Sequence, residues 1–123
     1  MTTDKKGQTL SLVKTIVNLI DDKKAEDIVI LEIAGLSVIA DYFVICTGRS
    51  ITQTKAVADH VVDMLKQDHN IQVKGVEGQQ DGKWILLDFG EVIVHVFRHE
   101  EREFYNLERL WGDANQLQLE KLS

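Results

Sequence analysis

No proline occurs in this chain of 123 residues, and cysteine occurs once. The lone Cys46 excludes a disulfide within the chain and fits a reducing compartment. Its surroundings, Phe43-Val44-Ile45-Cys46-Thr47, read as a buried strand, so a small core residue is expected there and not a reactive thiol. The opening Met1-Thr2-Thr3-Asp4-Lys5-Lys6 lacks the apolar stretch of a signal peptide, and no apolar run approaches bilayer-crossing length. A cytoplasmic protein with no membrane contact is the expectation. Positive charge is in deficit: fourteen Lys and Arg stand against twenty Asp and Glu, a net charge of −6. Sequence-independent binding to nucleic acid needs clustered cations to neutralise phosphates, so little or no direct nucleic-acid binding is expected. Complementary potentials favour a basic partner instead. Repeats, low-complexity tracts and linkers are also missing. One domain is therefore expected over 1–123, its core at about 9–114 between a polar N-terminus and a short C-terminal tail.

What the chain does have is apolar residues, 44% of the total, at regular spacing. Leu10, Val13, Ile16, Val17 and Ile20 form one helical stripe. Ile28 to Ile33 and Tyr42 to Thr47 read as strands whose continuous apolar runs belong to a sheet covered on both faces. Ser50 and Gln53 match a capping box at the start of a helix that buries Val57, Ala58, Val61 and Leu65, and Asn70 suits a left-handed stop. Three strands follow, Gln72 to Glu77, Lys83 to Asp88 and Val92 to Phe97, joined through Gly78, Asp81-Gly82 and Asp88-Phe89-Gly90-Glu91 as an antiparallel meander. A last helix from His99 carries a stripe of Phe104, Leu107, Leu110 and Trp111 and ends at Gly112, before a partly helical tail. The order αββαβββα predicts an α/β fold (α+β layered), a mixed sheet of about five strands with flanking helices.

The meander turn carries the functional candidates. With Phe89-Gly90 at its centre, Trp84 faces His95, Leu86 faces Ile93, Asp88 faces Glu91, and Phe97 lies diagonal to Trp84. One sheet face then holds an aromatic centre, an imidazole and an acidic rim, and large aromatics of this kind are enriched in binding hot spots. Tyr105 lies beside the apolar stripe of the last helix, within reach of that rim. His95 and Asp88 have no nucleophile attached to them by spacing, and His95 and His99 do not share one helix, so neither catalysis nor metal binding is expected. Gly48-Arg49-Ser50, between a strand and a helix start, is where phosphate can bind. It supports an alternative reading as a small nucleotidyltransferase-like enzyme, against which stands the absence of any Asp-x-Asp metal pair. A third reading is a dimerising adaptor using Trp111 and Tyr105.

Four stretches of the sequence resemble the Iojap-type ribosomal silencing factors, the RsfS family. They are Ala40-Asp41-Tyr42-Phe43-Val44-Ile45-Cys46-Thr47-Gly48-Arg49-Ser50, Gly75-Val76-Glu77-Gly78, the run from Trp84 to Phe97, and Arg102-Glu103-Phe104-Tyr105-Asn106-Leu107-Glu108-Arg109-Leu110-Trp111. Several blocks in order are more specific than any single motif. The resemblance implies a nucleotidyltransferase-like fold without catalysis or cofactor. It implies docking on protein fourteen of the large ribosomal subunit, where the factor blocks joining of the small subunit, and a homodimer when free. The family's partner-facing tryptophan and the loop after it map onto Trp84, Asp88 and Phe89. The expected partner-binding set is Trp84, Asp88, Phe89, Glu91, His95, Phe97 and Tyr105. Glu91 stands where the family more often has Asp, and Asn70 where Gly is usual.

Overall fold

The computed structural model describes residues 5–118. Helix α1 spans Lys5–Asp22 and buries Thr9, Val13, Ile16, Val17 and Ile20, the face its apolar spacing predicts. Strand β1, Glu26–Glu32, pairs antiparallel with β2, Tyr42–Gly48, whose seven residues are all buried. Such a strand has both faces covered, as its unbroken apolar run requires.

Helix α2, Ile51–His69, begins where Ser50 Oγ accepts from the backbone N–H of Gln53 at 3.1 Å. The Gln53 side chain reaches back one residue further than a capping box requires and accepts from Arg49 N–H. Its amide also donates to the Lys23 and Lys24 carbonyls, tying the end of α1 to the start of α2. Asn70 ends α2 at φ 56°, in the left-handed region, with its N–H bonded to the Leu65 carbonyl. Asn tolerates that region better than most residues with a Cβ.

The meander follows as β3 (Gly75–Glu77), β4 (Trp84–Asp88) and β5 (Val92–Arg98), with β3 only half as long as its sequence suggested. β5 returns to lie parallel to β2, and every other pairing is antiparallel. The order of these strands in the sheet is β3-β4-β5-β2-β1, and a sixth strand lies beyond β1.

Two expectations for the C-terminal part are corrected. The last helix is broken at Asn106, φ 45°, into α3 (His99–Tyr105) and α4 (Leu107–Leu110), and the Asn106 side chain caps the second piece by accepting from Arg109 N–H. The break turns Leu107 into the sheet and leaves Phe104 and Leu110 outside, 81% and 73% exposed, so the single apolar stripe expected on the last helix is split. The tail is not helical over 115–117. It forms a sixth strand, β6 (Asn115–Leu117), on the free edge of β1, with Ile30 opposite Leu117 and Glu32 opposite Asn115. An edge strand of three residues exists only because a distant partner offers unpaired backbone groups, which no local pattern announces.

The two faces of the sheet are covered unequally. α1 and α2 close one face over Val44, Cys46, Ile85, Leu87, Val94 and Val96. On the other face Leu31, Ile33, Phe43, Ile45, Ile93 and Phe97 have only Leu107 and the short α3–α4 segment above them, with Trp84, Leu86 and Trp111 half-buried at the margin. Large apolar side chains at the boundary of a thin cover are where a partner can finish the burial. Trp84, His95 and Phe97 lie on this face, with Tyr105 in the segment above it.

Candidate docking surface

The turn between β4 and β5 is one residue further along than expected. Phe89 N–H donates to the Val92 carbonyl, leaving Gly90 and Glu91 as the central pair, and Gly90 stands at φ +90°. A positive φ at the first central residue suits the tight hairpins that follow strand twist. Asp88 Oδ1 accepts from Gly90 N–H at 2.8 Å and holds the turn. Opposed residues therefore shift by two: Trp84 faces Phe97, Leu86 faces His95 and Asp88 faces Ile93. A shift of two keeps every side chain on its face, so the cluster survives while its neighbours change places.

Trp84 is half-buried. Its indole stacks on Phe97, centroids 4.9 Å apart and planes 25° from parallel, and the Tyr105 ring sits 4.7 Å away at 43°. Indole Nε1–H donates to His95 Nδ1 at 3.1 Å. His95 is buried between the rings of Phe43, Phe97 and Trp84, and burial pushes its pKa down to about 4, which keeps the imidazole neutral.

The candidates thus divide by position. Trp84, Tyr105, Asp88 and Glu91 reach the surface, while His95 and Phe97 lie beneath the indole at 3% and 0% exposure. Phe89 is on the opposite side of the sheet, 4% exposed in the core under α1 and α2, because strand alternation sends 85, 87 and 89 one way and 84, 86 and 88 the other. The acidic rim is partly neutralised: Glu91 pairs with Lys5 at 3.3 Å. A hydrogen bond from its own backbone, then that lysine, hold its carboxyl below the usual range.

Sequence reasoning missed the apolar surface around Tyr105 and the β1–β2 connection. Phe104, Leu110 and half-exposed Tyr105 rim one shallow hollow, and Leu110 with half-exposed Leu36 lines another of about 350 Å³. Val38 and Ile39 in the β1–β2 connection are exposed as well. Their run, Leu36-Ser37-Val38-Ile39 after Gly35, is unusually apolar for a loop and was the available signal.

The segment carrying Tyr105 is held by Arg102. Its guanidinium, 11% exposed, donates to the Asp27 carbonyl at 2.7 Å, Thr47 Oγ1 at 2.8 Å and Glu108 Oε2 at 2.8 Å. Asp27 stands at φ 51° beside the irregularity in β1, which turns its carbonyl toward this cation. Trp111 packs edge-on to Phe43 at 5.6 Å. Cys46 is sealed in the core, its thiol pushed up to about 12 by burial. At Gly48-Arg49-Ser50, Arg49 turns to Glu26 at 3.5 Å and Ser50 is spent on the helix cap. Among the described residues no group of His, Cys, Asp and Glu could hold a metal ion, and no helix is long and apolar enough to cross a membrane.

A family profile described as "Ribosomal silencing factor during starvation" matches residues 6–123. The chain belongs to this family. Ribosomal silencing factor RsfS of Halalkalibacterium halodurans is 48% identical over 109 residues, covering 89% of this chain and 92% of that protein. A crystal structure of a Chromobacterium violaceum protein superposes with a TM-score of 0.80 at 34% identity, covering 83% of this chain and 84% of the other. A mouse relative named mitochondrial assembly of ribosomal large subunit protein 1 is 34% identical over 99 residues, 78% of this chain and 43% of its own length. Membership makes the silencing factor a ribosome-associated regulator of translation and not an enzyme. The enzymatic reading of Gly48-Arg49-Ser50 is thereby set aside.

Proposed function

We propose that this silencing factor represses translation by docking its Trp84 face on protein fourteen of the large ribosomal subunit, where its bulk keeps the small subunit from joining. The observation that carries the reading is the half-buried indole, stacked on Phe97 and against Tyr105, which shares a shallow hollow with exposed Phe104 and Leu110. A rigid aromatic at the edge of an incompletely covered sheet is what hot spots are made of, and it offers large area with little entropy left to lose. Surplus negative charge, −6 overall, supports a cationic protein as the landing site and disfavours the RNA around it. Within this reading Trp84 and Tyr105 touch the partner, Asp88 and Glu91 shape the turn beside it, and Phe97 and His95 support the indole from below. Phe89 acts only through the turn it anchors.

Co-sedimentation with purified large subunits tests the site. Trp84→Ala is expected to weaken binding by about 2 kcal/mol or more, roughly thirtyfold, with circular dichroism confirming a folded variant. Equal pelleting of wild type and Trp84→Ala would remove the site. The blocking step is read separately, by adding small subunits and measuring 70S formation on gradients: wild type should suppress it and Trp84→Ala should not. The free protein is expected to pair with a second copy, which light scattering of the chain without ribosomes checks.

A further inference from the structure

The imidazole of His95 is poorly matched to its surroundings. It is 3% exposed on β5, edge or face against Phe43 at 4.6 Å, Phe97 at 6.1 Å and Trp84 at 6.0 Å. Its Nε2 is enclosed and has no hydrogen-bond partner among the described residues. Its Nδ1 has one, the indole N–H of Trp84 at 3.1 Å. A ring nitrogen that accepts carries no proton, so the neutral ring keeps its hydrogen on Nε2, the nitrogen that nothing receives. A buried donor without an acceptor is destabilising, and a leucine or phenylalanine would fill an apolar site of this kind without that penalty. What imidazole supplies here that a hydrocarbon cannot is an acceptor for the indole.

We propose that His95 is a positioning residue for the docking surface: by accepting the Trp84 N–H it fixes the indole, stacked on Phe97, in the orientation that meets the partner. The inference rests on Trp84 being a docking residue, and it adds why a polar ring lies under it. Indole has a single donor. One hydrogen bond at Nε1 and one stacked neighbour together define the plane and the direction of the ring, so little rotamer freedom is left to lose on binding. Burial keeps His95 unprotonated at neutral pH, so the acceptor is always present.

The test uses the full chain labelled with ¹⁵N, with the indole signals of Trp84 and Trp111 told apart by Trp111→Phe. Solvent exchange of the Trp84 indole N–H is expected to be slow in wild type and at least tenfold faster in His95→Leu. His95→Asn, whose side-chain oxygen falls near the position of Nδ1, should restore most of the protection. Amides of β5 in the same spectra show whether each variant is folded, and His95→Phe replaces the leucine variant if that one is not. On large subunits, His95→Leu should bind about fivefold more weakly and His95→Asn less so, the loss of one neutral hydrogen bond. In a Trp84→Phe background, which has no indole donor, His95→Leu should change binding no further. Equal exchange in wild type and folded His95→Leu would overturn the positioning role, whatever the ribosome assay shows. So would a fivefold loss that persists with Phe at 84. Intact binding by Trp84→Ala would overturn the docking reading and leave the exchange result standing.

Discussion

His95 ties the stability of the fold to pH. In an unfolded chain the imidazole titrates near 6.5, and in the folded protein burial lowers that to about 4. Between these values the unfolded state binds the proton and the native state does not, so the group's contribution is complete above pH 6.5 and is lost as pH falls through 4. Its share of the loss is about 2 kcal/mol at pH 5 and about 3 kcal/mol near pH 4. Urea unfolding of wild type and His95→Asn across pH 7 to 4 should show wild type losing stability relative to the variant by this amount. Glu91 and Glu101, held below their ordinary range, add acid sensitivity of the same sign in both proteins and cancel in the difference. A second buried titratable side chain gives a simpler reading. Cys46 has no exposure and a thiol pushed up to about 12, so at pH 8 it should react with a thiol reagent only through unfolding, at a rate that rises with urea.

The elements rest on two left-handed asparagines and one buried cation. Asn106 breaks α3 from α4 at φ 45° and caps the second piece. Asn106→Ala should cost about 2 kcal/mol, from an alanine forced into the left-handed region and a lost cap, whereas Asn106→Gly should cost well under half of that. Denaturant midpoints of the two variants measure the gap. Arg102→Ala should be more severe, at about 2–3 kcal/mol, because Asp27, Thr47 and Glu108 all lose a charged donor. It should also free Tyr105 from Trp84, seen as quenching of indole fluorescence in a Trp111→Phe background. The same positions show what could be read from the sequence. Ser50, Gln53 and Asn70 act within one turn of chain, so the ends of α2 were legible. Strand alternation was legible too, and with a turn of even length it placed Trp84, His95 and Phe97 on one face, whichever of two centres two residues apart in register that turn takes. The register was not, because Gly90-Glu91 and Phe89-Gly90 are both acceptable turn centres and only the pairing of whole strands decides between them. Asn106 lies inside a run whose apolar spacing suits one unbroken helix, and only the pull of Leu107 into the sheet and the Arg102 network reveals the break. That break is also why Phe104 and Leu110, read as one stripe with Leu107 and Trp111, became part of the candidate surface.

For the whole molecule the deciding quantity is charge. A surface with six surplus negative charges is repelled by RNA phosphates and attracted by a basic protein, and added salt screens both effects. A partner that bound by neutralising phosphates would release counterions, and with six to ten such contacts it would lose about 10³- to 10⁵-fold in affinity between 50 and 200 mM salt. Docking through Trp84, Tyr105 and their apolar rim releases few counterions, and burial of apolar area is little affected by salt in this range. Binding to large subunits at fixed magnesium should therefore change by less than about tenfold over the same interval, with the association rate more sensitive than the dissociation rate. A steep loss parallel in both wild type and Trp84→Ala would mean that RNA holds the protein, and the protein-docking surface would then be abandoned. A shallow dependence, together with thirtyfold weaker binding by Trp84→Ala at every salt concentration, is what an indole buried against a cationic protein requires.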